Sequence, residues 1–377
     1  MIAITEDTVS TIVTTILTVG CLWLFYPAWA VLVAERVEWE IEQLSSDDTQ
    51  RSKLPVLSVV IPAYNEQDRI NEMICESFGY LSSPRGKLLL QRLLSCSKSK
   101  SKIPSEGLYP VVEWLIVNDG SSDSTCDVVR ETYKNLIEST SKKNKNNENK
   151  TSACSVLDEE WKIVSLKMNS GKGAAVRTGM NLAKGMFHLM VDADGATTFG
   201  LGLENLVNEV EAKIKKQSIT AGNNESDAKN RDDPMLTVFG SRAHLEKEST
   251  AQRSFVRTLL MKAFHFFVSL FVSSKVHDTQ CGFKLFSKSA SDLVFQTLHL
   301  RRWAFDTEIV LLCDKQGIEI SEVAVPWKEV DGSKLSTSKL ALAVASISML
   351  RDMICVRACY MLGIWSVKRR HPSSHSN

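Results

Sequence analysis

The stretch LPVLSVVIPAYNE, Leu54 to Glu66, begins as an almost unbroken apolar, β-branched run and ends on turn-forming and polar residues. A run without polar alternation predicts a strand buried on both faces, as in parallel sheets covered by helices. Working outward, Glu66 to Leu81 carries helical periodicity, and EWLIVNDG from Glu113 repeats the strand-then-turn design. Ser124 to Leu136 predicts a second helix, WKIVSLK from Trp161 a third strand, and Gly173 to Lys184 a third helix. FHLMVDAD, the helical stretch Leu203 to Lys215 and MLTVFGSR from Met235 continue the series. Strands alternating with helices at this spacing predict an α/β domain around a mostly parallel sheet.

The chain has 377 residues, 44% hydrophobic and 24% charged, which is enough to bury one large core or two smaller ones. Its 45 Lys and Arg nearly balance 44 Asp and Glu, and no basic block points to a nucleic-acid partner. Nine cysteines form no CxxC pair and no metal-ligand spacing, which fits a reducing compartment. Three tracts rich in Ser, Asn and Lys, at 95–107, 139–154 and 215–233, read as exposed insertions in the domain.

Thr8 to Ala34 runs for 27 residues without a charge, against the roughly 20 helical residues that a bilayer core requires. Trp23, Phe25, Tyr26 and Trp29 gather near its C-terminal end as an interfacial belt would. A cleaved signal peptide fits less well, because Glu6 and Asp7 precede the run where basic residues would stand. Arg36, Arg51 and Lys53 follow it, so residues 1–7 are expected in the lumen, 8–34 across the membrane, and 35–53 as a cytosolic linker. The sequons at Asn149 and Asn224 are then expected to stay unglycosylated.

In an open parallel sheet the carboxyl ends of the strands share one edge, and ligands bind in the crevice there. YNE, NDGSSD, DADGATT and GSR all fall at such ends. Asp192 and Asp194, one residue apart, can hold a hard cation from one side while a diphosphate completes its shell. The competing reading is a turn in which one of them caps the following helix. GKGAAVRTGM, from Gly171, lacks the G-x-x-x-x-G-K-[ST] of a phosphate loop, and its glycines suit close packing of helix on sheet.

Taken together, SVVIPAYNE (58–66), IVNDGSSDST (116–125), NSGKGAAVRTGM (169–180) and VDADGATT (191–198) resemble glycosyltransferase family 2. GSRAHLEKESTAQRSFVRTLLM, DTQCGFKLF, RWAFDTE and EVDGSKL are similar to the members that load dolichyl phosphate with a hexose. The resemblance implies a GT-A, Rossmann-like domain over 54–335, UDP-glucose as donor, dolichyl phosphate as acceptor, Mg²⁺ or Mn²⁺ as cofactor, and an endoplasmic reticulum membrane. A mannosyl-transferring or other polyprenyl-phosphate enzyme is the alternative within the family. A processive synthase fits less well, since His299 stands where Q-x-x-R-W has Gln, and a non-enzymatic membrane scaffold is a third reading.

The resemblance places Pro62, Tyr64, Glu66 and Asp119 around the nucleoside, although Asn118 stands where the family commonly has a first Asp. It assigns the metal to Asp192 and Asp194, with Ala193 against the nucleotide, and the diphosphate to Arg242 and Lys334. For Arg242 the alternative is a surface ion pair with Glu246. Asp306 takes the acceptor-side carboxylate position, for positioning or weak base work; its alternative, shared with Glu308, is a buried hydrogen-bond network. Arg253, Arg257 and Lys284 are expected near the acceptor phosphate. Ser254 to Ser274, and Lys339 to Trp365 within the C-terminal segment 336–377, are apolar with scattered charges; they suit amphipathic helices at the lipid bilayer surface, or core helices.

Overall fold

The computed structural model describes residues 6–33, 37–45, 54–97, 111–145, 159–220, 235–243, 276–330 and 339–367, with backbone alone at 6–13, 32–33, 141–145, 218–220 and 339–343. Eight strands form one sheet: β1 (Trp39–Gln43), β2 (Leu57–Ala63), β3 (Val112–Asn118), β4 (Glu159–Leu166), β5 (Phe187–Val191), β6 (Thr237–Ser241), β7 (Phe283–Ser287) and β8 (Ile320–Ala324). Their order is β1-β4-β3-β2-β5-β7-β6-β8. Pairing is parallel along β4-β3-β2-β5 and between β6 and β8. It is antiparallel where β1 joins β4 and where β7 inserts between β5 and β6.

β2 and β3 are buried along their whole length, as the apolar runs require. Successive side chains face opposite ways. Val59 and Ile61 enter the core beneath α2 (Ile70–Ser82), α3 (Pro84–Cys96) and α6 (Phe199–Thr220), while Val60 enters the other core. That second core lies under α5 (Lys172–Leu182), α7 (Lys288–Phe295) and α8 (Phe305–Lys315). Trp114 on β3 and Trp161 on β4 stand in register, their rings stacked at 4.6 Å, so this cross-strand pair locks the alignment of the two strands.

The five strands and four helices read from the sequence are present, with shifted ends. The first helix starts at Ile70 rather than Glu66 because residues 66–69 form a turn, with the Arg69 and Ile70 amides both donating to the Glu66 carbonyl. α4 (Thr125–Lys145) and α6 run into the tracts read as insertions, and the rest of those tracts lies outside the described residues. The stretch read as linker contains β1, whose side chains are all exposed and which adds an edge strand by backbone pairing.

α1 (Glu6–Val33) contains the single helix among the described residues that is long and apolar enough to cross a membrane, at Thr14–Val31, only 11% of which is buried. It packs against α9 (Lys339–Met361), where the Arg351 guanidinium lies 5.5 Å from the Trp23 ring and 5.6 Å from the Tyr26 ring. α9 divides its surface along its length. Met353, Cys355, Val356, Cys359 and Tyr360 are buried in the core shared with α5 and α8, whereas Val344 and Ile347 are exposed. Core packing therefore accounts for Met353 to Tyr360 of the segment read as amphipathic, while Met361, Leu362 and Ile364 beyond it are exposed. Ser254 to Ser274 lies outside the described residues.

His188 on β5 is fully buried; its Nε2–H donates to the Gly185 carbonyl at 3.0 Å and its Nδ1 accepts from the Ser291 hydroxyl at 2.8 Å. Burial, aided by Lys288, pulls its pKa from 6.5 to about 3. The neutral ring belongs to the folded state, so stability is full above about pH 6.5 and declines as pH falls toward 3, by up to ~1.4 kcal/mol per pH unit. Denaturant midpoints measured between pH 7 and 5 should show this slope in the wild type and a shallower one in His188→Gln.

Candidate active site

The turns leaving β2 and β3 are laced together. Asn65 takes the left-handed conformation at φ 54° and its side chain accepts from the Ser122 amide at 2.8 Å, while the Glu66 amide donates to the Thr125 hydroxyl at 2.8 Å. Pro62 is buried in β2 and Tyr64 stands 38% exposed at the rim. The Glu66 carboxylate forms a fork with the Arg69 guanidinium at 2.6 and 2.7 Å, so it holds its own turn together. Asn118, in place of an acid, accepts from the Ser121 amide at 2.9 Å. That bond asks only for a carbonyl oxygen, which Asn supplies as well as Asp.

Asp119 is buried, and its two oxygens accept from the amides of Ser170 and Gly171 at 2.7 and 2.9 Å. Burial raises its pKa above the ordinary carboxylate value, and these amides and Arg302 only partly offset that effect. The residue expected to read the nucleoside thus also pins the start of α5.

Asp192, Ala193 and Asp194 leave β5 together, with Ala193 buried. The Asp192 carboxylate fits against Gly282, where a Cβ would lie 2.0 Å from its Oδ2. On the other side the Lys172 ammonium approaches Oδ1 at 2.7 Å and Oδ2 at 2.8 Å. Asp194 Oδ1 accepts from the Ala196 amide at 3.0 Å, which makes a local turn. It does not cap α6, because the Phe199 amide is taken by Glu76 at 2.9 Å.

Asp192, Asp194, Arg242, Gln280 and Trp327 line one cavity of about 100 Å³. The Arg242 fork binds both oxygens of Asp278 at 2.8 Å, and its guanidinium lies 5.5 Å from the Trp327 ring. Its ion-pair partner is therefore Asp278; Glu246 lies outside the described residues. Asp192 Oδ1 is buried without a well-aligned donor, Lys172 meeting it only as an ion pair. Among the described residues no three His, Cys, Asp or Glu side chains are grouped so as to hold a metal ion by themselves. Two carboxylates on one cavity fit a Mg²⁺ or Mn²⁺ site completed by substrate phosphate. The Gly282 contact yields a direct expectation. Gly282→Ala should push the Asp192 carboxylate aside by an ångström or more and lower turnover by roughly a hundredfold, as misplacement on that scale does. Steady-state rates, with a melting curve to check the fold, measure it.

Asp306, in the first turn of α8, is buried, and its Oδ1 lies 2.7 Å from the Lys284 ammonium. Lys284 on β7 is fully buried and also donates to the Cys281 carbonyl at 2.6 Å. It supports Asp306 from below and does not present its charge at the surface where an acceptor phosphate was expected. Burial holds the Asp306 pKa above the ordinary value against the pull of Lys284 and Lys172. Glu308 follows the network alternative: it accepts from the amides of His299 and Leu300 at 3.0 and 2.7 Å and from the Tyr360 hydroxyl at 2.9 Å. Arg253, Arg257 and Lys334 lie outside the described residues.

Sequence reasoning passed over Lys172, Asp278 and Trp327. Lys172 has a signal, its place in GKG before a helix, but a phosphate loop and close glycine packing, the two readings of that motif, give the lysine itself no role. Nothing in the sequence pairs Arg242 with Asp278, 36 residues away.

An antiparallel strand inserted into a mostly parallel sheet, with an acidic pair at the carboxyl edge, defines the GT-A class of glycosyltransferase domain. The family model for glycosyl transferase family 2 matches residues 85–295. The chain is 37% identical to the dolichyl-phosphate β-glucosyltransferase of Dictyostelium discoideum, over 83% of this chain and 77% of that protein. It is 36% identical to that of Homo sapiens over 83% and 78%, and 34% identical to that of Saccharomyces cerevisiae over 82% and 76%. Among solved structures, glucosyl-3-phosphoglycerate synthase from Mycobacterium tuberculosis with uridine diphosphate is similar, with a TM-score of 0.45 and 14% identity over 81% of this chain and 80% of that one. The chain belongs to glycosyltransferase family 2 and is an enzyme of that family.

Proposed function

We propose that this enzyme transfers glucose from UDP-glucose to dolichyl phosphate with inversion, giving dolichyl β-D-glucosyl phosphate for lipid-linked glycan assembly. The observation that carries the reading is the convergence of Asp192, Asp194 and Arg242 on one cavity, in a chain whose relatives bear the name of that activity. Asp192 and Asp194 would hold Mg²⁺ or Mn²⁺, which neutralises charge on the leaving diphosphate. Arg242, oriented by Asp278 and backed by Trp327, contributes a fixed positive charge to the same group.

An acceptor phosphate oxygen forms a bond to the anomeric carbon as the bond from that carbon to the diphosphate oxygen breaks, and UDP leaves. The nucleophile is largely anionic at neutral pH, because the second pKa of a phosphate monoester is about 6. No strong base is required. Asp306, fixed on Lys284, then serves to orient the acceptor side rather than to remove a proton. α1 would hold the catalytic domain at the endoplasmic reticulum membrane, on the cytosolic side, with exposed side chains such as Ile16, Leu22 and Trp23 in lipid.

Membranes containing the enzyme, given dolichyl phosphate with either UDP-glucose or GDP-mannose, test the reading. Glucosyl lipid from UDP-glucose alone is the expected product. Mannosyl lipid from GDP-mannose would move the enzyme to the mannosyl branch, and glycosylation of Asn149 or Asn224 in the native protein would overturn the orientation.

A further inference from the structure

Lys172 holds the Asp192 carboxylate without itself lining the donor cavity. Its ammonium contacts both Asp192 oxygens, is not among the groups lining that cavity, and lies 5.8 Å from the centre of the Trp303 ring. Trp303 is 42% exposed and Arg302 beside it is exposed, on the segment leading into α8 and Asp306. This segment is held tightly to the start of α5. A Cβ on Gly171 would lie 2.5 Å from the Arg301 carbonyl oxygen and 3.1 Å from Arg302 Cγ, one on Gly173 would lie 2.5 Å from the Leu300 carbonyl oxygen, and the Ala174 amide donates to the Arg301 carbonyl at 3.0 Å. The two glycines therefore bring Lys172 and the Trp303 indole together beside Asp192, with Arg302 next to Trp303 in the chain. Such a group suits a phosphate monoester attached to an apolar chain, with the ammonium for the anion and an aromatic edge for the first carbons.

We propose that Lys172 is a resident counter-ion of Asp192 which an arriving divalent cation displaces, and that its released ammonium then binds the acceptor phosphate. The inference rests on the metal and acceptor reading given above. A divalent cation on the Asp192 carboxylate repels an ammonium held 2.7 Å from it, so metal binding drives the ammonium off Asp192 and toward the Trp303 ring. The acceptor subsite then reaches full charge only after the metal is bound, which places metal binding ahead of the acceptor.

The test uses the full chain in detergent micelles, with Mn²⁺ as probe, free Mn²⁺ counted by electron paramagnetic resonance, and dolichyl phosphate kinetics at saturating UDP-glucose. Without UDP, Lys172→Met should bind Mn²⁺ about tenfold more tightly than wild type, because a competing cation has gone, at the lower end of what a close charge does to a carboxylate. Its KM for dolichyl phosphate should rise about tenfold or more, with kcat changed less. Lys172→Arg, which keeps a cation, should leave Mn²⁺ affinity near wild type. Unchanged or weaker Mn²⁺ binding by Lys172→Met, or an unchanged acceptor KM, overturns the proposal. Should Lys172→Met not fold, Lys172→Gln carries the same two readouts. A wild type that binds no Mn²⁺ even with UDP present would instead remove the metal reading itself, an outcome distinct from failure at Lys172.

Discussion

Asp192→Asn and Asp194→Asn should each lower turnover by about a hundredfold or more, because assistance to a leaving diphosphate through bound metal is commonly worth several kcal/mol. The fold should survive both changes. At Asp194 the bond to the Ala196 amide needs only a carbonyl oxygen, which Asn keeps. At Asp192 the loss of charge leaves Lys172 unpaired, but that side chain is 21% exposed and can turn toward water. Melting temperatures within a few degrees of wild type are the expected control. Rates measured across Mg²⁺ and Mn²⁺ titrations decide the matter: full activity of either variant, or of wild type in excess EDTA, removes the metal from the mechanism. A turn-forming role alone predicts nearly wild-type rates, since Asn forms such turns about as well as Asp.

Lys284→Met should destabilise the enzyme by about 3–5 kcal/mol, the usual consequence of stranding one partner of a buried ion pair. Lys284 is 0% exposed and its partner Asp306 5%, so neither charge can recover its hydration without local unfolding. Replacing both partners, Lys284→Met with Asp306→Asn, removes the stranded charge and should restore at least half of the lost stability. Denaturant midpoints of the two single variants and the double variant measure the coupling, and additive losses would show that the two groups do not support each other. Turnover of the double variant then separates the roles of Asp306. A stable but inactive enzyme assigns its carboxylate to the acceptor side; a stable and active one leaves it purely structural.

The parallel half of the sheet was legible because β2, β3, β4 and β5 are apolar runs ending in turn formers, and burial on both faces is what such runs require. β7 was not read as a strand. FKLFS carries a lysine at its second position, which argues against a buried strand until Asp306, 22 residues later, is known to neutralise it. β1 was read as linker for a similar reason: WEIEQ buries no side chain, so its strand character exists only in its pairing with β4. Motif position singles out Asp192, Asp194 and Arg242, and one cavity is lined by all three. The tethering of Glu66 by Arg69, of Asp119 by the Ser170 and Gly171 amides, and of Arg242 by Asp278 was not legible, because each depends on packing rather than on spacing.

β1 is made almost first, yet its hydrogen-bonding partner is made late. Trp39 to Gln43 pairs with Leu166 to Lys162, more than a hundred residues further along the chain. A ribosome adding about 5–20 residues per second delivers that partner on the order of ten seconds after β1 has been synthesised. Throughout that interval the strand β1 pairs with does not yet exist. Glu40 and Glu42 on so short a strand give it charges that discourage pairing with foreign edges while it waits. β2, β3 and β4 can zip together in the order of their synthesis, so the strand nearest the amino terminus is the one that must dock last on that side. Translation speed between residues 45 and 166 therefore sets how long the growing chain carries an open seam.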